Sequence, residues 1–181
     1  MSVWCPMHRA VLLLSCGLSA CSTTTTERLG LGPLPTVEAV ALERYLGTWY
    51  EIASFPQSFQ RGCTFTTATY TLRDDGDIDV LNFCRKGSID GEEKSALGRA
   101  RVVERKTNAK LEVSFFRPFW GDYWIIDLDP EYRTAIVGHP SRDYLWLLSR
   151  TVTPEVMAGL QARAAALGYP LDRLRQTEQR P

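Results

Sequence analysis

The sequence predicts an all-β domain, an eight-stranded antiparallel up-and-down barrel with a C-terminal α-helix packed outside it. Three observations predict it. From residue 48 onward, short segments alternate apolar and polar residues at the two-residue period of a half-buried strand, punctuated by Gly, Asp, Asn or Pro. Eight such segments follow one another through connections short enough for hairpins, and closing the meander into a barrel removes both exposed edges. After the last of them, Thr153-Pro154-Glu155 breaks the period and opens a helix.

Residues 1–20 are of a different kind. Arg9 with His8 beside it precedes the apolar run 10–14, and small residues follow up to Leu18-Ser19-Ala20-Cys21, the pattern of a secretory signal peptide. The apolar run is too short for a permanent membrane span. Leu-Ser-Ala-Cys resembles a bacterial lipobox, which would leave Cys21 acylated; the competing reading is an ordinary cleaved signal with a stray cysteine. Ser22 follows in place of the Asp that resembles an inner-membrane retention signal, so the expected destination is the outer membrane, facing the periplasm. Residues 21–36, rich in Thr, Gly and Pro, are expected to be a flexible tether, and residues 37–181 the barrel domain.

Within the domain, residues 37–46 suit a short helical turn that plugs one end. The first strand, 48–54, is entered through Gly47 and carries two large aromatics. Strict alternation places Trp49, Glu51 and Ala53 on one face, with Tyr50 and Ile52 on the other. Residues 55–62 read as a loop whose two phenylalanines, Phe55 and Phe59, are exposed or line the rim. The second and third strands, 64–72 and 78–84, flank Asp74-Asp75-Gly76-Asp77, a hairpin turn with a positive-φ glycine. Strands over 95–104, 110–116, 123–129, 134–138 and 144–150 complete the eight. In the sixth, Trp124, Ile126 and Leu128 are expected to oppose Tyr123, Ile125 and Asp127. The helix takes Thr153 as N-cap, Pro154 at its first position and Gly168 as terminator, with Val156, Leu160, Ala164 and Leu167 as its apolar stripe. The residues after Tyr169 read as either a short last strand or a tail.

Composition excludes several functions. The chain has 21 basic and 21 acidic residues, so nothing in its charge suits nucleic acid. His139 is the sole histidine beyond the signal segment, and no Cys-x-x-Cys or His-x-x-x-His spacing suggests a metal; neither metal nor cofactor is expected. His139, Ser141 and Asp143 share one turn, where a catalytic triad is not expected to assemble, so no catalytic residue is assigned. With Cys5 and Cys16 in the signal and Cys21 consumed by lipid, Cys63 and Cys84 remain as an even pair. In an oxidising compartment they are expected to form a disulfide, the alternative being two separate buried thiols.

Gly47-Thr48-Trp49-Tyr50 resembles the first motif of the lipocalins, and Leu148-Ser149-Arg150-Thr151 resembles the third. Asp129-Pro130-Glu131-Tyr132-Arg133 lies where the second would fall. Thr67-Ala68-Thr69-Tyr70, Val113-Ser114-Phe115-Phe116 and Asp143-Tyr144-Leu145-Trp146 are similar to segments of the bacterial outer-membrane lipocalins, and the resemblance covers residues 45–169. It implies a structural lock at the closed end, with Arg150 packed over Trp49 beside Gly47. It also implies binding of small hydrophobic ligands such as fatty acids or lysophospholipids, for lipid storage or transport in the cell envelope. The expected ligand-binding residues are Glu51, Tyr70, Phe83, Phe115, Trp124 and Trp146, although each aromatic could instead pack under the outer helix. The expected partners are a lipid and the membrane, with a homodimer left open. Two other readings stand beside this one: a lipocalin-fold enzyme using Glu51, and a lipid-anchored interaction module with a collapsed barrel.

Overall fold

The computed structural model describes residues 30–180; the expected signal segment, Cys21 and the first part of the expected tether lie outside them. Eight antiparallel strands follow in chain order: β1 (Gly47–Ser54), β2 (Cys63–Leu72), β3 (Ile78–Lys86), β4 (Glu93–Glu104), β5 (Lys110–Phe116), β6 (Phe119–Leu128), β7 (Thr134–Gly138) and β8 (Leu145–Ser149). Each pairs with its chain neighbour, and β1 closes the barrel by pairing with both β2 and β8. Helix α1 (Leu42–Tyr45) is a single turn at one end. Helix α2 (Pro154–Ala166) lies on the outside, with Thr153 Oγ1 accepting from Val156 N at 3.4 Å as its N-cap.

Two apolar layers result. Inside the barrel, Trp49, Tyr70, Val80, Leu111, Ile125 and Leu148 belong to one buried cluster. Outside it, Ile136 and Leu147 pack with Leu160 and Ala164 of α2 in a second. Because the helix covers their outer faces, β7 and most of β8 are apolar on both sides, and all five residues of β7 are buried.

Three irregularities alter the expected faces. A bulge between Glu51 and Ala53 shifts the register of β1 against β8, so Ala53 joins the outer layer with Ile52 instead of sharing a face with Trp49 and Glu51. A second bulge, between Ile125 and Asp127, leaves Ile126 and Asp127 both outside, where Asp127 pairs with Arg163 of α2 at 2.8 Å, and returns Leu128 to the inner layer. A third, between Thr64 and Thr67, accompanies a positive φ of 46° at Phe65. Phe55, expected at the rim, is fully buried in the outer layer against Tyr169, 5.8 Å between ring centroids.

Both ends of the described chain are built into the barrel. Arg142 Nη2 donates to Gly32 O at 3.3 Å, Leu34 is buried, Val37 N donates to Ile125 O and Val40 N to Thr107 O. The segment 30–40 thus runs along the wall from the 139–144 connection to the 105–109 connection. The described part of the expected tether, 30–36, lies against the barrel.

At the other terminus, β9 (Arg175–Gln176) pairs with Ala53 and Ser54, and Thr177 N donates to Ile52 O. Phe65 N donates to Glu178 O, and Gln179 Nε2 donates to the carbonyls of Glu51 and Thr66. The C-terminal segment therefore fills the seam where β1 and β2 separate beyond the Tyr50 and Thr67 pair. Cys63 and Cys84 form the expected disulfide, with Cα atoms 5.5 Å apart.

Candidate functional site

The site is a cavity closed at one end by aromatic side chains and open at the other. At the closed end, Gly47 takes φ +87° to carry the chain from α1 into β1, and a Cβ there would stand 3.4 Å from Arg150 Nη1. Trp49 is fully buried, its Nε1 donating to Tyr45 O at 2.8 Å. Arg150 lays its guanidinium 3.9 Å from the centre of the Trp49 ring. It also donates to the carbonyls of Thr48 (2.6 Å), Leu46 (2.7 Å), Tyr45 (3.1 Å) and Arg44 (3.3 Å). A one-turn helix leaves its carbonyls without intrahelical partners, and the planar fork of an arginine can satisfy several at once. Burial lowers the Arg150 pKa from its ordinary value, but a guanidinium stays charged throughout the physiological range.

Above this lock stand three tyrosines from distant segments. The Tyr123 hydroxyl hydrogen-bonds those of Tyr45 and Tyr70, each at 2.8 Å. Burial pushes the Tyr70 phenol up to about 12, and it holds those of Tyr45 and Tyr123 well above the ordinary value. The floor of the cavity is therefore neutral and aromatic, with its polar atoms joined to one another.

The cavity has a volume of about 700 Å³. Tyr70, Val80, Val113, Tyr123, Trp146 and Leu148 are among its walls, and Phe59, Lys94, Trp120, His139 and Tyr144 lie toward its mouth. This volume excludes a collapsed barrel. Thr66 Oγ1, buried in the wall, has no hydrogen-bond partner among the described residues. Glu51 is buried and fixed: Ser54 Oγ (3.1 Å) and Thr177 Oγ1 (2.5 Å) donate to one carboxylate oxygen, and Gln60 Nε2 (2.7 Å) donates to the other. Gln60 Oε1 in turn accepts from Trp146 Nε1 at 3.3 Å, tying the 55–62 connection across the mouth to β8.

Glu51, Tyr70 and Trp146 thus line the cavity, Tyr70 at the floor and Glu51 near the mouth. Phe115 lines it while lying half exposed at the rim beside Gly98. Phe83 borders the cavity, but its ring turns to Phe65 (6.2 Å, edge to face) and to the Arg85 guanidinium. The face of β3 that points inward carries Val80 and Asn82 instead.

Trp124 is a correction. It packs on the outer layer, with Lys110 Nζ 4.2 Å from its ring centre and its Nε1 donating to Asp122. β6 carries large apolar residues in both phases because the outer layer, with Leu34 and Tyr169 beside Ile126, covers its outside, and it is Tyr123 and Ile125 that point in. Sequence reasoning missed Tyr123 as a cavity residue; its alternation with Ile125 was the available signal.

The His139 turn is closed by its own hydrogen bonds. Ser141 N donates to His139 Nδ1 at 3.1 Å, and the Ser141 hydroxyl meets the same atom at 2.8 Å. His139 Nε2 faces Asp122 Oδ2 at 3.6 Å, whereas Asp143 contributes its backbone N–H to Ser141 Oγ. His139 and Ser141 therefore meet in a hydrogen-bonded turn, and Asp122 of β6 faces the other imidazole nitrogen.

A family model described as a lipocalin-like domain matches residues 40–179. The outer membrane lipoprotein Blc of Escherichia coli strain K12 is 45% identical over 158 residues, 85% of each chain. Temperature-induced lipocalin-1 of Arabidopsis thaliana is 40% identical over 160 residues, 81% of this chain and 83% of the relative. The solved structure of insecticyanin from the tobacco hornworm Manduca sexta superposes with a TM-score of 0.63 at 19% identity, covering 81% of this chain and 85% of that one. At that identity the likeness speaks for the fold alone.

Proposed function

This chain belongs to the lipocalin family, and on that premise we propose that its barrel binds a fatty acid, a lysophospholipid or a similar molecule with one apolar chain and one polar end. The observation that carries the reading is the cavity of about 700 Å³, walled by aromatic and aliphatic side chains and closed below by neutral phenols. Burying an acyl chain there removes apolar surface from water, while a polar end left at the mouth would meet Lys94, Gln60 and Tyr144. Lipocalins are generally binding proteins, and the role that follows is storage or transport of lipid. The likeness to outer membrane lipoproteins, with the Leu18-Ser19-Ala20-Cys21 segment, supports acylation at Cys21 and attachment to the outer membrane on its periplasmic side. An apolar fluorescent probe should bind saturably and be displaced by a lysophospholipid. Failure of every fatty acid and lysophospholipid to displace it, up to their solubility limits, would sink the reading.

A further inference from the structure

We infer that the open end of the barrel docks on a lipid bilayer through the β5–β6 hairpin, with Phe116 and Phe119 entering the interface between headgroups and acyl chains. Residues 115–119, Phe-Phe-Arg-Pro-Phe, are all exposed. Phe116 is 75% accessible and Phe119 69%, and their rings stack with centroids 6.2 Å apart and planes within 11°. Paired rings at a hairpin tip expose apolar surface that folding itself leaves unburied, and the hairpin's next residues, Phe115 and Trp120, line the cavity. Phe59, from the 55–62 connection at the same end, is 59% exposed and also lines the mouth. The apolar surface is thus continuous from the hairpin tip into the cavity, as direct passage of a lipid between bilayer and barrel requires.

Charge and chain path agree with this occupant. Among the described residues no carboxylate pairs with Arg117, which is exposed in the turn that joins Phe116 to Phe119 and can meet a phosphate. The remaining charge at this end is mixed, with Arg61, Arg85, Lys86 and Lys94 set among Asp90, Glu92, Glu93 and Asp122, so the rings and Arg117 carry the contact. The chain joins the barrel at the open end. Gly32 is held by Arg142 of the 139–144 connection, and Leu31 lies against Gly168 beyond the C-terminus of α2. Gly30 is nine residues from Cys21. Even fully extended, that length reaches only about 30 Å. An acylated Cys21 would therefore keep the mouth, and not the Trp49 floor, near the membrane; this part of the argument rests on the proposed acylation.

The test uses a chain beginning at Ser22. It keeps every described residue, including the closed barrel and its core, and lacks both the signal segment and the acylation site. Flotation with phosphatidylethanolamine and phosphatidylglycerol vesicles should show association that falls about tenfold or more in Phe116→Ser/Phe119→Ser. Arg117→Ser should weaken association, and by more as the phosphatidylglycerol fraction of the vesicles rises. Probe binding in the cavity should be unchanged in both variants, which separates this inference from the ligand reading: vesicle association is scored even if no lipid displaces the probe. Equal flotation of the parent chain and the double variant would overturn the inference. So would a double variant that converts a dimer to a monomer in sedimentation while floating like its parent, because the rings would then be covered by a second copy.

Discussion

At the level of single residues, the lock and the tyrosine floor make different demands. Arg150 serves four carbonyls and one indole face at once, which a lysine ammonium cannot reproduce. Arg150→Lys should lower the free energy of unfolding by about 1–3 kcal/mol, and Trp49→Ala by about 3–5 kcal/mol, both read from urea midpoints. Unchanged midpoints would mean that the closed end does not stabilise the barrel. The phenols predict a pH effect. In the unfolded chain they ionise near pH 10, whereas folded Tyr70 and Tyr169 hold their protons to about 12. Above pH 10 the folded state binds more protons, so stability is intact below that point and falls as pH rises toward 12, by about 3 kcal/mol for Tyr70 alone. Urea midpoints across this window should fall less steeply in Tyr70→Phe, and a profile identical to that of the parent would contradict the assignment. Trp49 and Arg150 were legible because their motifs sit at recognisable positions. The phenol network was not, since it joins α1, β2 and β6 and no local pattern encodes such a meeting.

At the level of elements, the strands were legible from their alternation and their turns from Asp, Gly and Asn. Bulges were not. Around Glu51-Ile52-Ala53, apolar residues suit either phase because α2 and the barrel interior are both dry, so the sequence does not mark where the phase changes. The same ambiguity misplaced Trp124. The C-terminal segment was unreadable for another reason: it is held chiefly by backbone pairing and by Thr177 and Gln179 in a seam that exists only once β1 and β2 part. The disulfide was legible by counting cysteines. Its removal in Cys63→Ser/Cys84→Ser should cost about 3 kcal/mol through the entropy regained by the unfolded chain. Loss of the N-cap in Thr153→Ala should cost about 1 kcal/mol. Both are measured by the same unfolding titration, and a Thr153→Ala midpoint equal to that of the parent would show that the cap adds nothing to packing by Leu160 and Ala164.

At the level of the whole molecule, one end of the barrel is sealed by side chains that satisfy one another, and the other presents aromatic surface continuous with the cavity wall. Closure itself followed from the sequence, because an eight-strand meander without exposed edges has few other solutions. The size of the interior did not, since it depends on which aromatic of each pair turns inward. Ala96, exposed at the cavity wall, offers a way to fill that space without disturbing the core. Ala96→Trp should weaken probe binding by about tenfold while leaving the urea midpoint unchanged. The most direct test of the central claim is native mass spectrometry of the protein purified from the cells that make it. The structure predicts a retained small molecule that extraction identifies as an acyl-bearing lipid. A bare chain that also takes up no fatty acid or lysophospholipid on incubation would contradict it.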